Sequence, residues 1–172
     1  MPTVARADIE DALRRHVDPY LEQDLLRAKA VKDLLGENTH SLVLGADTIV
    51  VFGSEIMGKP TSAAHAEEML LKLTGNQHKV MTGVSILNCN SEKVYCRIVT
   101  SEVNMQKISL RELQLYSRSE EVRDKAGAYA IQGKGGAFVE KVIGSESNVI
   151  GLPLDETLAL LREAGDFKLD EL

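Results

Sequence analysis

Hydrophobic and polar positions along this chain alternate between helical and strand periods, and one stretch stands out. Residues 42–52 are an apolar run broken by one acid and one hydroxyl, Asp47 and Thr48. The turn signal Gly53-Ser54 then sends a short second strand back to Gly58-Lys59-Pro60, as in a β-hairpin. An ionised carboxylate inside so apolar a strand is costly to bury without compensation, and the returning Lys59 is a candidate compensator. A two-residue loop pairs Phe52 with Glu55 and sets Lys59 opposite Thr48, on the face away from Asp47. A three-residue loop, or a bulge at Gly58, puts Asp47 and Lys59 on one face; this second arrangement is the expected one.

Upstream, residues 1–17 are polar, with a short strand-like piece at 3–5 and an acidic turn containing Glu10 and Asp11. Asp18-Pro19 reads as an N-cap with proline at the first helical position. Leu21, Leu25, Ala28 and Leu35 recur at helical spacing up to Gly36. Lys29 lies about 40° round from Leu25 at 3.6 residues per turn, bordering the apolar stripe, where a lysine commonly snorkels.

Downstream, a second helix is predicted from Thr61-Ser62 to Gly75, with Ala63, Ala66, Met69, Leu70 and Leu73 inward. Strand-like runs follow at 79–87, 94–99 and 102–108, the first two joined by the polar turn 88–93. Ser109 with Glu112 forms a capping box for a helix to about Ser117, and a short helical turn fits 119–124. Residues 124–136 are rich in small residues and turn sharply; 139–143 and 148–150 read as strands. A last helix opens at Pro153, buries Leu154, Leu158 and Leu161, and stops at Gly165, leaving a frayed tail over 166–172. The uneven alternation predicts α/β: a mixed twisted sheet with flanking helices. At 172 residues and 44% apolar, the chain reads as one domain, residues 1–172, in two lobes.

A net charge of −6 argues against nucleic acid as a partner, and no stretch has the length of a membrane span. Cys89 and Cys96 flank a turn whose pairing does not bring them together, so reduced thiols and a cytoplasmic setting are expected. Gly127 and Gly133 have five residues between them and Lys134 is followed by Gly135, so the Walker spacing fails. His16, His40, His65 and His78 lack metal-ligand spacing, although His78 and Thr82 share a strand face. Neither cysteine has a nearby histidine and no Gly-x-Ser-x-Gly elbow occurs. What remains is Asp47 with Thr48, Lys59, Lys29 and Gln132, plus the acids Glu10, Asp11, Asp124 and Glu140. A carboxylate among lysines suits metal-assisted attack of water on a phosphoryl centre, and a neutral amide suits the edge of a base. On residue types alone, an Asp–Lys surface pair beside an ordinary polar loop is the simpler account.

Several blocks in order change that balance: Gly45-Ala46-Asp47-Thr48-Ile49-Val50, Gly58-Lys59-Pro60, residues 78–84 (His-Lys-Val-Met-Thr-Gly-Val), residues 124–133 (Asp-Lys-Ala-Gly-Ala-Tyr-Ala-Ile-Gln-Gly), and Gly144-Ser145 with 148–154. From about residue 8 to 164 the chain resembles the Maf family of nucleoside triphosphate pyrophosphatases. The resemblance implies a fold related to inosine triphosphate pyrophosphatases, with two lobes around a cleft. It implies hydrolysis between the α and β phosphates, with a divalent metal (Mg²⁺ or Mn²⁺), by a homodimer. Asp47 looks like the family's proton acceptor and a metal position, and Asp11 like a second metal position, where family members usually carry Glu. Thr48 and Gln132 match positions tied to base choice, and Lys29 and Lys59 match phosphate-binding lysines. His78 and Thr82 fall in a matched substrate-binding block. The 124–129 block is similar to that of the subgroup acting on dTTP and UTP.

The family's opening loop, Ser-x-Ser-Pro-Arg-Arg, does not occur in this sequence. Bidentate arginine contacts to phosphate are not replaced in kind by lysine, and losing one buried charged contact costs about 2–5 kcal/mol. The expected function is therefore a dTTP/UTP-type pyrophosphatase of the nucleotide pool. The alternative is a catalytically weak or inactive nucleotide-binding or regulatory protein linked to cell-division control.

Overall fold

The computed structural model describes residues 29–31 and 41–165. Expectations for residues 3–5, Glu10, Asp11, His16, His40, most of the first helix and the tail 166–172 lie outside that range. The elements are β1 (Leu42–Phe52), β2 (Glu55–Met57), α1 (Ala63–Leu73), β3 (Gln77–Asn88), β4 (Val94–Met105), α2 (Leu110–Ser117), β5 (Val139–Ile143), α3 (Glu146–Ile150) and α4 (Leu154–Ala164). The strands form one sheet in the order β2-β1-β3-β4-β5, and the α/β class stands as expected.

The opening hairpin takes the register of a two-residue loop, with Phe52 opposite Glu55, Val51 opposite Ile56 and Val50 opposite Met57. This corrects the expected loop of three residues. Gly53 stands at φ 60°, the positive value that a type II′ turn demands at its first central position. The ladder ends at Met57, and the carbonyl of Gly58 instead accepts from the N–H of Gly127 at 3.0 Å.

Strand β4 also departs from expectation. It runs unbroken through Thr100 and Ser101 and ends at Met105, where two runs reaching Ile108 were predicted. Ser101 is fully buried and its hydroxyl donates to the carbonyl of Ser145 at 2.8 Å. A polar residue stays inside a strand once its hydrogen bond is made. The β3–β4 turn closes through Asn88, whose N–H donates to Lys93 O at 3.0 Å and whose Oδ1 accepts from Asn90 N at 3.0 Å and Ser91 N at 2.9 Å.

Residues 148–150 are helical, not extended: Ser145 caps α3 by accepting from Asn148 N, and Gly151 closes it at φ 130°. The cap at Ser145 outweighs the β-branched pair Val149-Ile150, whose preference for strands is weak over so short a span. In α4 the buried stripe is Thr157, Leu160 and Ala164, while Leu154 is 54% exposed; the phase expected from Leu154, Leu158 and Leu161 is shifted. Ala63 is exposed, whereas Ala66, Met69, Leu70 and Leu73 are buried as expected. The capping box of Ser109 and Glu112 is formed.

The chain divides into two compact units. One comprises residues up to Asp47, Gly83–Ile98 and the stretch from Leu154; the other comprises Thr48–Thr82 and Val99–Pro153. In the first, Cys89 N donates to Ser41 O at 3.0 Å, Asn88 Nδ2 to Ala164 O at 2.6 Å, and Arg97 pairs with Glu163 at 2.8 Å. The second holds a continuous core that includes Val50, Met57, Leu70, Leu73, Val80, Val103, Leu113, Tyr116 and Tyr129. Each of the large side chains closed off there contributes about 1.5–3 kcal/mol through burial.

Gly127 presses into that core. Its φ is 69°, and a Cβ there would lie 3.1 Å from both γ-carbons of Val50 and 3.2 Å from Leu73 Cδ1. Left-handed backbone costs an L-residue about 1–2 kcal/mol and overpacking about 1–3 kcal/mol. Gly127→Ala is therefore expected to lower unfolding free energy by about 2–4 kcal/mol. Urea denaturation checks this; an unchanged midpoint would contradict the packing described.

Candidate functional site

The second unit gathers most of the residues singled out by sequence around two features. The first is a polar knot on β1 and β3. Thr48 Oγ1 lies 2.9 Å from Thr82 Oγ1 and 3.3 Å from Gly151 O, and Thr82 Oγ1 lies 3.4 Å from Asn148 O. Two hydroxyls bring two protons to these three contacts, so the donors alternate among the acceptors. Asn148, fully buried, donates from Nδ2 to Val80 O and to Ser101 Oγ, each at 3.0 Å. The segment 145–151 is thus stitched to β3 and β4 by side chains. Neither Asn148 nor Ser101 stands out as a site residue from sequence; Asn148 closes the polar stretch 145–148.

The second feature is the segment 126–138. His78 is buried on β3, and its Nε2 lies 2.7 Å from Tyr129 Oη, the rings meeting edge to face with centroids 5.4 Å apart. Burial pulls the His78 pKa down to about 4, so the imidazole is neutral at pH 7. Burial likewise raises the Tyr129 phenol above its ordinary value. Gln132 is exposed in the loop after this anchor. The loop's backbone is held by Tyr116 and Glu121. Tyr116 Oη accepts from Ala130 N at 3.2 Å and donates to Glu121 Oε1 at 2.7 Å. Glu121 accepts from Lys134 N and Gly135 N, each at 3.0 Å. Burial and the neighbouring carboxylate raise the Tyr116 pKa, keeping the phenol a donor. For Glu121, burial pushes upward, but the N–H of Gly135, the Tyr116 hydroxyl and the N–H of Lys134 together hold the carboxyl below its ordinary value.

Lys59 is exposed in the loop that Gly58 O ties to Gly127 N, so its backbone is anchored to the segment that carries Gln132. Asp47, half-buried on β1, and the exposed Lys29 belong to the other unit. Asp124 and Glu140 are exposed. Among the described residues no three His, Cys, Asp or Glu side chains gather as a metal site, and no helix is long and apolar enough to cross a membrane. Cys89 and Cys96 are both free thiols. A surface pocket beside the Lys59 loop is lined by Thr61, Ser62, Arg118, Ser119 and Arg123.

The structure is an α/β sheet with antiparallel edges, whose loops are tied back by polar side chains and carry the exposed Lys59 and Gln132. The family model described as Maf-like protein matches residues 1–164, and the chain belongs to that family. It is 42% identical over 168 residues to a dTTP/UTP pyrophosphatase of Hahella chejuensis, covering 95% of this chain and 82% of the relative. It is 43% identical over 165 residues to one of Myxococcus xanthus, with the same 95% and 82% coverage. It is 51% identical over 126 residues to one of Anaeromyxobacter dehalogenans, covering 72% of this chain and 65% of the relative.

The buried His78 makes stability depend on acidity. Its folded pKa, about 4, lies below the ordinary value of about 6.5, so the unfolded chain takes up the proton first as pH falls. The contribution is complete above about pH 6.5 and is lost on descending to about pH 4, a total of about 3 kcal/mol. In His78→Gln the slope of unfolding free energy against pH within that window should flatten. An identical slope in both proteins would refute the assignment.

Proposed function

We propose that this protein hydrolyses dTTP and UTP to the nucleoside monophosphate and pyrophosphate. The observation that carries the reading is the extent of the likeness: dTTP/UTP pyrophosphatases align with 95% of the chain. The family match over residues 1–164 spans the blocks holding Asp47, Lys59 and Gln132. The fold is in keeping with it, since Thr48 and Gln132 stand on a knot and a loop held by hydrogen bonds, as ligand-selecting groups require.

In this reading Asp47 is the general base that takes a proton from the attacking water. A positioned carboxylate is a usual partner for such a proton transfer. Lys59 and Lys29 offset charge on the phosphate oxygens, where an ammonium acts as a mobile point charge. Thr48 and Gln132 present a hydroxyl and an amide, each able to donate and accept, to the polar edge of the pyrimidine. Thr82 fixes the Thr48 hydroxyl from within the sheet, and His78 fixes Tyr129 and so the entry to the Gln132 loop.

A divalent cation, Mg²⁺ or Mn²⁺, belongs to this reading. Asp47 supplies a hard oxygen donor, and such ions are commonly held by one or two carboxylates together with substrate phosphates and water, so a dense ligand cluster is not required. Asp47 and Asp11 would hold it, and it would supply neutralisation of phosphate charge. A cytoplasmic location is supported by the two free thiols, and a homodimer is part of the same reading.

The test follows pyrophosphate release from dTTP and UTP with Mg²⁺. Asp47→Asn should lower kcat by about 10²- to 10⁴-fold with KM for dTTP changed little. Turnover unaffected by the substitution would remove Asp47 as the base. Binding of dTTP by calorimetry without any pyrophosphate release, at high protein concentration, would replace the enzyme reading with a nucleotide-binding one.

A further inference from the structure

The geometry points to Tyr116 and Glu121 as positioning residues that clamp the Gln132 loop from beneath and so set discrimination among nucleotides. This rests on the proposed function, and deepens it, by naming what holds the specificity loop in place.

Residues 130–136 lie outside the sheet ladder, so their backbone groups need other partners. Two side chains from a different part of the chain supply them. Ala130 N donates to Tyr116 Oη, and Lys134 N and Gly135 N donate to the two oxygens of Glu121. Tyr116 Oη in turn donates to Glu121 Oε1 at 2.7 Å, so the two side chains form one unit. Gln132 lies two residues after the first anchor and two before the second. The loop is therefore gripped on both sides of the exposed Gln132.

The clamp itself is rigid. Tyr116 is 5% exposed, and its ring meets Phe138 edge to face with centroids 5.0 Å apart. The glycines of the loop are the counterpart of this grip. A Cβ at Gly133 would fall on the Glu121 carboxylate, one at Gly135 on the Tyr116 hydroxyl, and one at Gly136 on Ile131 O. Three glycines in four positions thus allow the backbone to come within hydrogen-bonding distance of two side chains. Glycine elsewhere in a loop adds freedom; here each missing side chain lets a contact form that restricts it.

A residue that merely stabilises the fold and one that positions Gln132 differ in what its removal changes. Tyr116→Phe keeps the ring and its packing and removes only the hydroxyl. It is expected to raise KM for dTTP and UTP by about three- to tenfold, the equivalent of one lost hydrogen bond. It should also lower the preference for these substrates over purine triphosphates by a similar factor, with kcat within about twofold. In a Gln132→Ala background the same substitution should leave KM within about twofold, because the positioned group is gone. Effects of Tyr116→Phe that simply multiply with those of Gln132→Ala would overturn the proposal.

Amide hydrogen exchange supplies an arm independent of catalysis. The N–H groups of Ala130, Lys134 and Gly135 should be protected in the wild-type protein. Ala130 should lose at least about tenfold of that protection in Tyr116→Phe, and Lys134 and Gly135 in Glu121→Gln, at unchanged protection of the α1 core. Equal exchange at these amides in wild type and folded variants would refute the clamp. Should the wild-type protein turn over neither dTTP nor UTP, the proposed function fails while these exchange rates still decide whether the loop is held in this way.

Discussion

A buried backbone N–H or C=O with no partner costs as much as a lost hydrogen bond, and the loops around Lys59 and Gln132 have no strand or long helix to satisfy theirs. The structure meets that constraint with side chains. Asn148 and Ser101 tie the 145–151 segment to β3 and β4, and Tyr116 and Glu121 tie down the 130–135 loop. Ser101 and Asn148, both buried, sit at these seams between loop and sheet, with Thr82 and His78 taking the same role on β3. Removing one such side chain leaves its partner group without that bond, so the loops are fixed by side chains where the ladder does not reach.

This arrangement separates two kinds of residue. The exposed Lys59 and Gln132 are placed by backbone contacts made at their neighbours, Gly58 and residues 130–135. The buried Thr82, His78, Tyr129 and Asn148 place others and are themselves closed to solvent. Neutral partners suffice for that inner layer. A charged imidazole at His78 would have to be desolvated, and its Nδ1 meets no hydrogen-bond partner among the described residues, so the pair with Tyr129 is built for the uncharged ring.

Local signals were read well where they act within a few residues. The place of the turn at Gly53-Ser54 (though not its expected loop length), the Ser109–Glu112 box and the α1 stripe from Ala66 to Leu73 each depend on near neighbours, and each is present. Reading failed where a distant partner decides. Thr100-Ser101 looks like a break in a strand until Ser145 O is there to accept from Ser101. Val149-Ile150 looks extended until the Ser145 cap and Gly151 make a helical turn of it. The stripe of α4 was set one position off because Leu154 precedes the packed part of the helix and lies in the open. At the candidate site, the matched blocks name Asp47, Thr48, Lys59 and Gln132 as candidates, and their roles belong to the proposed function. Nothing in the sequence names Glu121, since an acid in a run of charged residues carries no sign that three donors converge on it.

The glycines at 133, 135 and 136 also bear on how such a loop can diverge. Any larger residue at those three places collides with the carboxylate, the phenol or a carbonyl, whereas positions 132 and 134 are exposed. Variation is thereby channelled to such exposed positions, where a new side chain can be tried without rebuilding the mount.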